Sequence, residues 1–162
     1  MNMLKIVARR KTGDIVKGYW QAPPELAPGE HPTVLPDRIA LQVYGTTETA
    51  VVETDSLKAV YFVKRLSGNP EYREIKFFTE APASDDVWVK LRFIDKETLE
   101  GTIHNGLDAF IQPGFLFRPA DAASNNEALY VIKSSLVELK ILRVVDIVSS
   151  RKMRDFTAAV GR

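Results

Sequence analysis

The chain offers few residues with which to do chemistry: it contains two histidines and no cysteine. The missing thiols exclude disulfides, zinc–thiolate sites, iron–sulfur clusters and cysteine nucleophiles. His31 precedes Pro32 in a proline-rich stretch, and His104 precedes Asn105-Gly106, a turn dipeptide. Neither has a second histidine or an acid at metal-ligand spacing, so both read as structural or solvent-exposed. Ser134-Ser135 lacks the strand–turn–helix context of a nucleophilic serine and reads as a polar break whose hydroxyls satisfy backbone groups. A phosphate-cradling loop needs several glycines opening a helix, whereas Gly13 and Gly18 flank a strand and Gly106 and Gly114 sit in turns. Asp85-Asp86 reads as a solvated part of a linker. No catalytic residue, cofactor or metal site is expected, and the chain is not expected to be an enzyme.

Two groups of residues are better suited to binding. Arg9, Arg10, Lys11, Lys17, Tyr19 and Trp20, with Lys133 further on, place basic groups near rings, as a single-stranded nucleic-acid surface requires. Along a strand, however, Arg9 and Lys11 point to one face and Arg10 to the other, and Trp20 beside Ala22-Pro23-Pro24 also reads as cover for a core. The second group is the loop Phe117-Arg118-Pro119-Ala120-Asp121 with Asn125 and Asn126. Here Arg118 and Asp121 can pair and the asparagines can bond turn backbone, leaving polar groups for a protein or small ligand.

The composition sets the frame for both. The 162 residues are 45% hydrophobic and 27% charged, enough to bury a core. The 22 basic and 21 acidic residues leave a net charge of +1, without the basic excess common among nucleic-acid binders. Met1 to Lys11 turns basic after a few apolar residues, which is not a signal-peptide pattern. No stretch approaches the roughly 20 apolar residues of a membrane helix. A cytoplasmic protein without a membrane partner is expected.

The elements that must carry these residues come as a repeat. Ile6 to Gly18 and Val89 to Gly101 align without gaps, each reading as an alternating strand, a polar turn and a second strand ending in glycine. Val51 to Val63 and Tyr130 to Leu142 also match, each reading as a β run, a short polar break, a leucine and another β run. The prolines at 23, 24, 28, 32 and 36 cannot donate ladder hydrogen bonds and mark Ala22 to Pro36 as a loop inserted in the first copy. Pro119 to Glu127 forms an irregular loop in the second. The expected organisation is an all-β chain of two tandem small barrels: residues 1–65, a linker over 66–86 with an extra strand at Ile75 to Phe78, and residues 87–143. In the tail, 144–162, Met153, Phe156 and Val160 share one helical face behind a Ser149 or Ser150 cap, predicting a short C-terminal helix.

Strand, turn, glycine-ended strand and a final leucine-led strand pair resemble the Sm-like (SH3-like) fold, in particular the bacterial Sm-like RNA chaperones. Gly101 to Ile111 is similar to the post-glycine segment of that family, with Leu107 in place of its aromatic residue and one extra residue before Asp108. Tyr130-Val131-Ile132-Lys133-Ser134-Ser135 resembles its tyrosine–lysine–histidine segment, Lys133 matching the lysine and Ser134 standing at the histidine. The resemblance implies uridine-rich RNA as a ligand and Lys133 as a contact. The chain also resembles an uncharacterised bacterial domain family of unknown function seen beside signalling domains, through Leu57 to Lys64, Arg118 to Asp121 and Ser124 to Glu127. PilZ barrels, which bind cyclic di-GMP, use two arginines four residues apart and an acid-x-serine-x-x-glycine turn. Here Gly13 follows Arg9 at that spacing, Asp14 follows Arg10, and the second motif is missing. The leading expectation is a binding or scaffold module that contacts a protein partner or itself through strand edges. The competing one is an Sm-like protein for single-stranded RNA or DNA.

Overall fold

In β1 (Met3–Arg10) the alternation does what it predicts: Ile6 and Ala8 are fully buried while Met3 and Lys5 face water. The structure, a computed structural model, describes residues 2–80 and 86–144. After β1 come β2 (Ile15–Gln21), β3 (Arg38–Val43), β4 (Thr49–Glu53) and β5 (Leu57–Val63), with a 3-10 turn at Thr54–Ser56. The second half holds β6 (Val87–Phe93), β7 (Thr98–Ile103), a short helix α1 (Asp108–Ile111), β8 (Gly114–Pro119), β9 (Asn126–Ile132) and β10 (Leu136–Arg143), with a 3-10 turn at Lys133–Ser135.

The mainly β expectation holds. The two halves are not separate closed barrels, however. Among the described residues ten strands form one open antiparallel sheet in the order β10-β6-β7-β8-β9-β5-β1-β2-β3-β4. The join is β5 against β9, with Ala59 opposite Val131, Val60 opposite Tyr130, Tyr61 opposite Leu129 and Phe62 opposite Ala128. Pairing removes two costly open edges and lets β9 serve both cores. Ala128, Tyr130 and Ile132 enter the core of the first half with Ile6, Leu41 and Phe62, while Leu129 and Val131 enter that of the second with Leu91, Phe93 and Phe117.

The halves share local geometry. Arg10 N–H donates to Asp14 O at 2.8 Å and Gly13 N–H to Arg10 O at 2.9 Å; Phe93 N–H donates to Glu97 O at 2.9 Å and Lys96 N–H to Phe93 O at 3.0 Å. Gly13 (φ +102°) and Lys96 (φ +73°) take the left-handed position that this bulged hairpin turn requires. Both fourth strands end in a 3-10 turn, and both fifth strands start on a leucine, Leu57 and Leu136.

The extra strand expected at Ile75 to Phe78 does not form. Among the described residues its backbone makes one bond to a strand's backbone, Glu100 N–H to Lys76 O at 2.9 Å, while Ile75 N–H and Phe78 N–H donate to side chains. Glu100 Oε2 accepts from Phe78 N–H at 3.2 Å and from Trp88 Nε1–H at 3.3 Å, and Phe78 meets Trp88 edge-on. The helix expected in the tail lies outside the described residues.

Candidate functional site

The basic residues near the start of the chain are each engaged by different groups of the protein. Arg10 is tied to Asp14 at 2.5 Å, and Lys17 Nζ donates to Leu66 O at 3.4 Å. Lys11 Nζ bridges the halves, donating to Asp55 O and to Ser134 Oγ, each at 2.7 Å. Arg9 lies over the Tyr61 ring, 5.8 Å from its centroid. Lys133 Nζ donates to Phe110 O at 3.1 Å. Trp20 belongs to the first core, so its ring is not open to a stacking base, and Tyr19 is half-buried. Each of these cations except Arg9 therefore has a hydrogen-bond partner within the protein, which a phosphate would have to displace.

The loop after β8 is built differently from the expected Arg118–Asp121 pair. Among the described residues Asp121 bonds to the linker instead: Oδ2 accepts from Tyr72 Oη–H at 2.6 Å and Ile75 N–H at 3.0 Å, and Oδ1 from Ala123 N–H at 3.0 Å. These donors hold the Asp121 carboxyl below the ordinary carboxylate range, the Ile75 backbone bond contributing most. Asn125 clamps the start of the linker, accepting from Arg65 N–H at 2.9 Å and donating to Arg65 O at 3.0 Å. Asn126 opens β9 with its backbone N–H on Ser124 Oγ at 3.0 Å. Asp121 and Asn125 thus pin the linker, Asn126 is held within its own loop, and of these four residues Arg118 alone is exposed.

That arginine faces a cleft of about 590 Å³ between the proline-rich loop of the first half and β7, β8 and α1 of the second. Its polar lining includes Glu30, His31, Asp86, His104, Asp108 and Arg118. The loop is shaped by short turns, Leu26 N–H to Pro23 O at 3.0 Å and Glu30 N–H to Ala27 O at 3.1 Å, with Gly29 at φ +85°. Both histidines, read singly from the sequence, arrive at this cleft. His104 is exposed, with Nδ1 3.8 Å from Asp86 Oδ1. His31 is tucked against the Phe62 ring; its Nε2 lies 3.2 Å from Glu127 Oε2, and its Nδ1 is buried without a hydrogen-bond partner among the described residues. Burial lowers the His31 pKa from 6.5, against the opposing pull of Glu127, and nearby Arg118 adds to the lowering. Spacing alone carries no sign of this pairing, because the loop between β2 and β3 has to fold over the second half to create it. Among the described residues no group of three or more His, Asp or Glu is arranged to hold a metal.

The His31 environment has a pH consequence. The native state favours neutral imidazole, so the unfolded chain binds more protons as pH falls through about 6.5, and stability falls with it. The urea midpoint is expected to drop between pH 7.5 and 5.5, and His31→Phe to flatten that slope. An equal slope in the variant would mean that other groups carry it.

The sheet also ends in two unlike edges. Among the described residues β4 and β10 each pair on one side only. All of β10 after Leu136 is exposed, including Val137, Leu139 and Ile141, and on β4 Val51 is exposed. Leu139 and Ile141 line an apolar groove of about 280 Å³ with Phe110 and Val144. No described helix is long and apolar enough to cross a membrane. Compared with known proteins, residues 2–143 match the model of a family described as a family of unknown function (DUF6982). No curated protein and no solved structure matches the chain.

Proposed function

We propose, from the premise that this chain belongs to a family of unknown function (DUF6982), that it is a non-catalytic binding or scaffold module working through protein–protein contacts in the bacterial cytosol. The observation that carries this reading is the pair of one-sided edge strands with exposed apolar residues, Val51 on β4 and Val137, Leu139 and Ile141 on β10. Soluble proteins protect such edges with charge, proline or a covering element, and exposed apolar edges are where a partner strand is added. The five-stranded pattern of each half, with its glycine-ended second strand and leucine-led fifth, supports an Sm-like reading of the fold. The nucleic-acid reading has less support, since Lys133 Nζ donates to Phe110 O at 3.1 Å and Ser134 stands where the family's histidine would be.

The test is affinity capture from cytosol with the tagged wild-type chain and with Leu139→Asp, with and without nuclease. Protein recovered by the wild type, resistant to nuclease and lost with Leu139→Asp, is the expected result. Enriched single-stranded RNA or DNA whose binding weakens steeply with salt would replace this reading with the nucleic-acid one.

A further inference from the structure

The cleft between the proline-rich loop and the second half is lined by charges of both signs that do not meet. Its floor comes from β7 and β8, where Thr102 and Arg118 stand directly opposite each other in the ladder and so project from one face of the sheet. Leu116, two residues before Arg118, projects from that face too and packs partly against the first core. The walls come from elsewhere in the chain: Leu26 and Glu30 from the proline-rich loop, and Asp108 from the start of α1. Strand register therefore fixes the cation, and the loop and α1 bring the acids to the same cavity.

The ionisable groups around the cavity differ in how far each is already satisfied. His31 is held neutral near pH 7, by burial first and by Arg118 as well, against the pull of Glu127. His104 and Asp86 face each other, Nδ1 lying 3.8 Å from Oδ1. Glu30 Oε2 accepts from Ala27 N–H at 3.2 Å, closing its own turn. Arg118, Asp108 and Glu30 are all exposed, and among the described residues no ion pair joins Arg118 to either acid.

A free cation and free carboxylates around one cavity are both satisfied only by an occupant that carries both signs. A ligand of a single sign gains at one wall and is repelled at the other. With one free guanidinium on the floor, the negative group is a monoanion: the planar fork of Arg118 matches a carboxylate bidentately, and the Thr102 hydroxyl beside it can add a donor. The positive group is an ammonium, whose three donors suit a pair of carboxylates. The volume, about 590 Å³, is that of a small-molecule site, and Leu26 and Leu116 supply apolar surface.

We propose that this cleft binds a free α-amino acid with an apolar side chain. Its carboxylate is held by Arg118 and Thr102, its ammonium by Asp108 and Glu30, and its side chain by Leu26 and Leu116. Because these residues come from both halves, the bound ligand ties the proline-rich loop to the second half and stabilises the fold.

Calorimetric titration of the full chain near neutral pH tests this with L-leucine, L-valine, L-methionine and L-phenylalanine, each beside its N-acetyl derivative and its carboxamide. At least one free amino acid is expected to bind 1:1 and to raise the melting temperature. Its N-acetyl and carboxamide forms each lose one charge and should bind about 10- to 100-fold more weakly, the worth of a charge-assisted hydrogen bond. Arg118→Met should bind the free acid and its carboxamide equally poorly. The double variant Asp108→Asn with Glu30→Gln should no longer separate the free form from the N-acetyl form. All three positions are exposed, so the variants are expected to keep the fold, which circular dichroism checks; if one does not, the derivative series on the wild type decides alone. No binding by any of the four, derivatives that bind as tightly as the free acid, or folded variants that keep the wild-type preference overturn the proposal. It does not rest on the edge strands, so its failure leaves the protein-contact reading standing, with loss of capture by Leu139→Asp as that reading's own test.

Discussion

Lys58→Ala is expected to lower the unfolding free energy by about 2–3 kcal/mol, the loss of two charge-assisted hydrogen bonds together with side-chain packing. Lys58 lies inside the apolar run of β5, 4% exposed, and its ammonium reaches the β6–β7 turn of the other half. It donates to Asp95 Oδ2 at 2.6 Å and Glu97 Oε1 at 2.9 Å and sits 4.4 Å from the centre of the Phe93 ring. Its own carbonyl accepts from Ser135 Oγ–H at 3.0 Å. Both carboxylates keep some contact with water, so removing the lysine does not strand a fully buried anion, and the cost stays below that of breaking a wholly buried pair. Burial pushes both acids up, but the bonds from Lys58, joined by the Glu97 backbone N–H at Asp95 and by Lys76 at Glu97, together outweigh it and hold Asp95 and Glu97 below their ordinary values of 3.8 and 4.5. Their contribution is complete above those values and is lost as pH falls through the lower native ones. Denaturant titrations at pH 7 and pH 3 check both parts. Lys58→Met keeps most of the packing over Phe93, so it should be less destabilised than Lys58→Ala and lose less stability than wild type in going to pH 3. A Lys58→Ala chain as stable as wild type would show that this contact between the halves contributes nothing net.

Gly101→Ala is expected to be at least as damaging, about 3 kcal/mol, the upper range for overpacking a filled core. A methyl group at Gly101 would lie 2.3 Å from Arg118 O and 2.3 Å from Phe117 Cζ, and neither backbone carbonyl nor core ring can retreat cheaply. Gly18 faces the matching obstacle, Gln42 O at 2.3 Å, where β2 and β3 share two paired positions, Gly18 with Val43 and Tyr19 with Gln42. Gly18→Ala should therefore detach β3 and β4 from the sheet sooner than it unfolds the rest. Gly13 is the control: nothing lies within 4 Å of an added methyl, and the cost is that of a left-handed backbone at φ +102°, roughly 1 kcal/mol. Thermal melts ordering Gly13→Ala above Gly18→Ala and Gly101→Ala would agree with this account, and a reversed order would contradict it.

What could be read from the residues in order was local. Period-two alternation placed β1, β2, β6 and β7, the prolines placed the loop before β3, and the gapless match of Gly18 with Gly101 marked two glycines at which strands approach too closely for a side chain. The leucine after each polar break marked the start of each fifth strand. The extra strand expected at Ile75 to Phe78 does not form because apolar content does not supply a ladder: side chains of Asp121 and Glu100 accept from the Ile75 and Phe78 N–H groups instead. Arg118 and Asp121 are close in sequence, but the Tyr72 hydroxyl and the Ile75 amide take the carboxylate.

Everything that depends on which strand lies beside which was decided by the tertiary structure. Leu57 to Val63 and Leu136 to Leu142 are similar runs in the chain, yet the first is almost wholly buried and the second is open to water, because β9 covers one and nothing described covers the other. The arrival of His31 and His104 at one cleft, and the contact of Lys58 with Asp95 and Glu97, follow from the same join. By itself the sequence determined the elements and the correspondence between the halves, since periodicity and turn chemistry act over a few residues. Only the tertiary structure decided the sharing of one sheet, the two edges left at its ends and the groups gathered in the cleft, since strand pairing joins residues far apart in the chain and local pattern does not specify the partner.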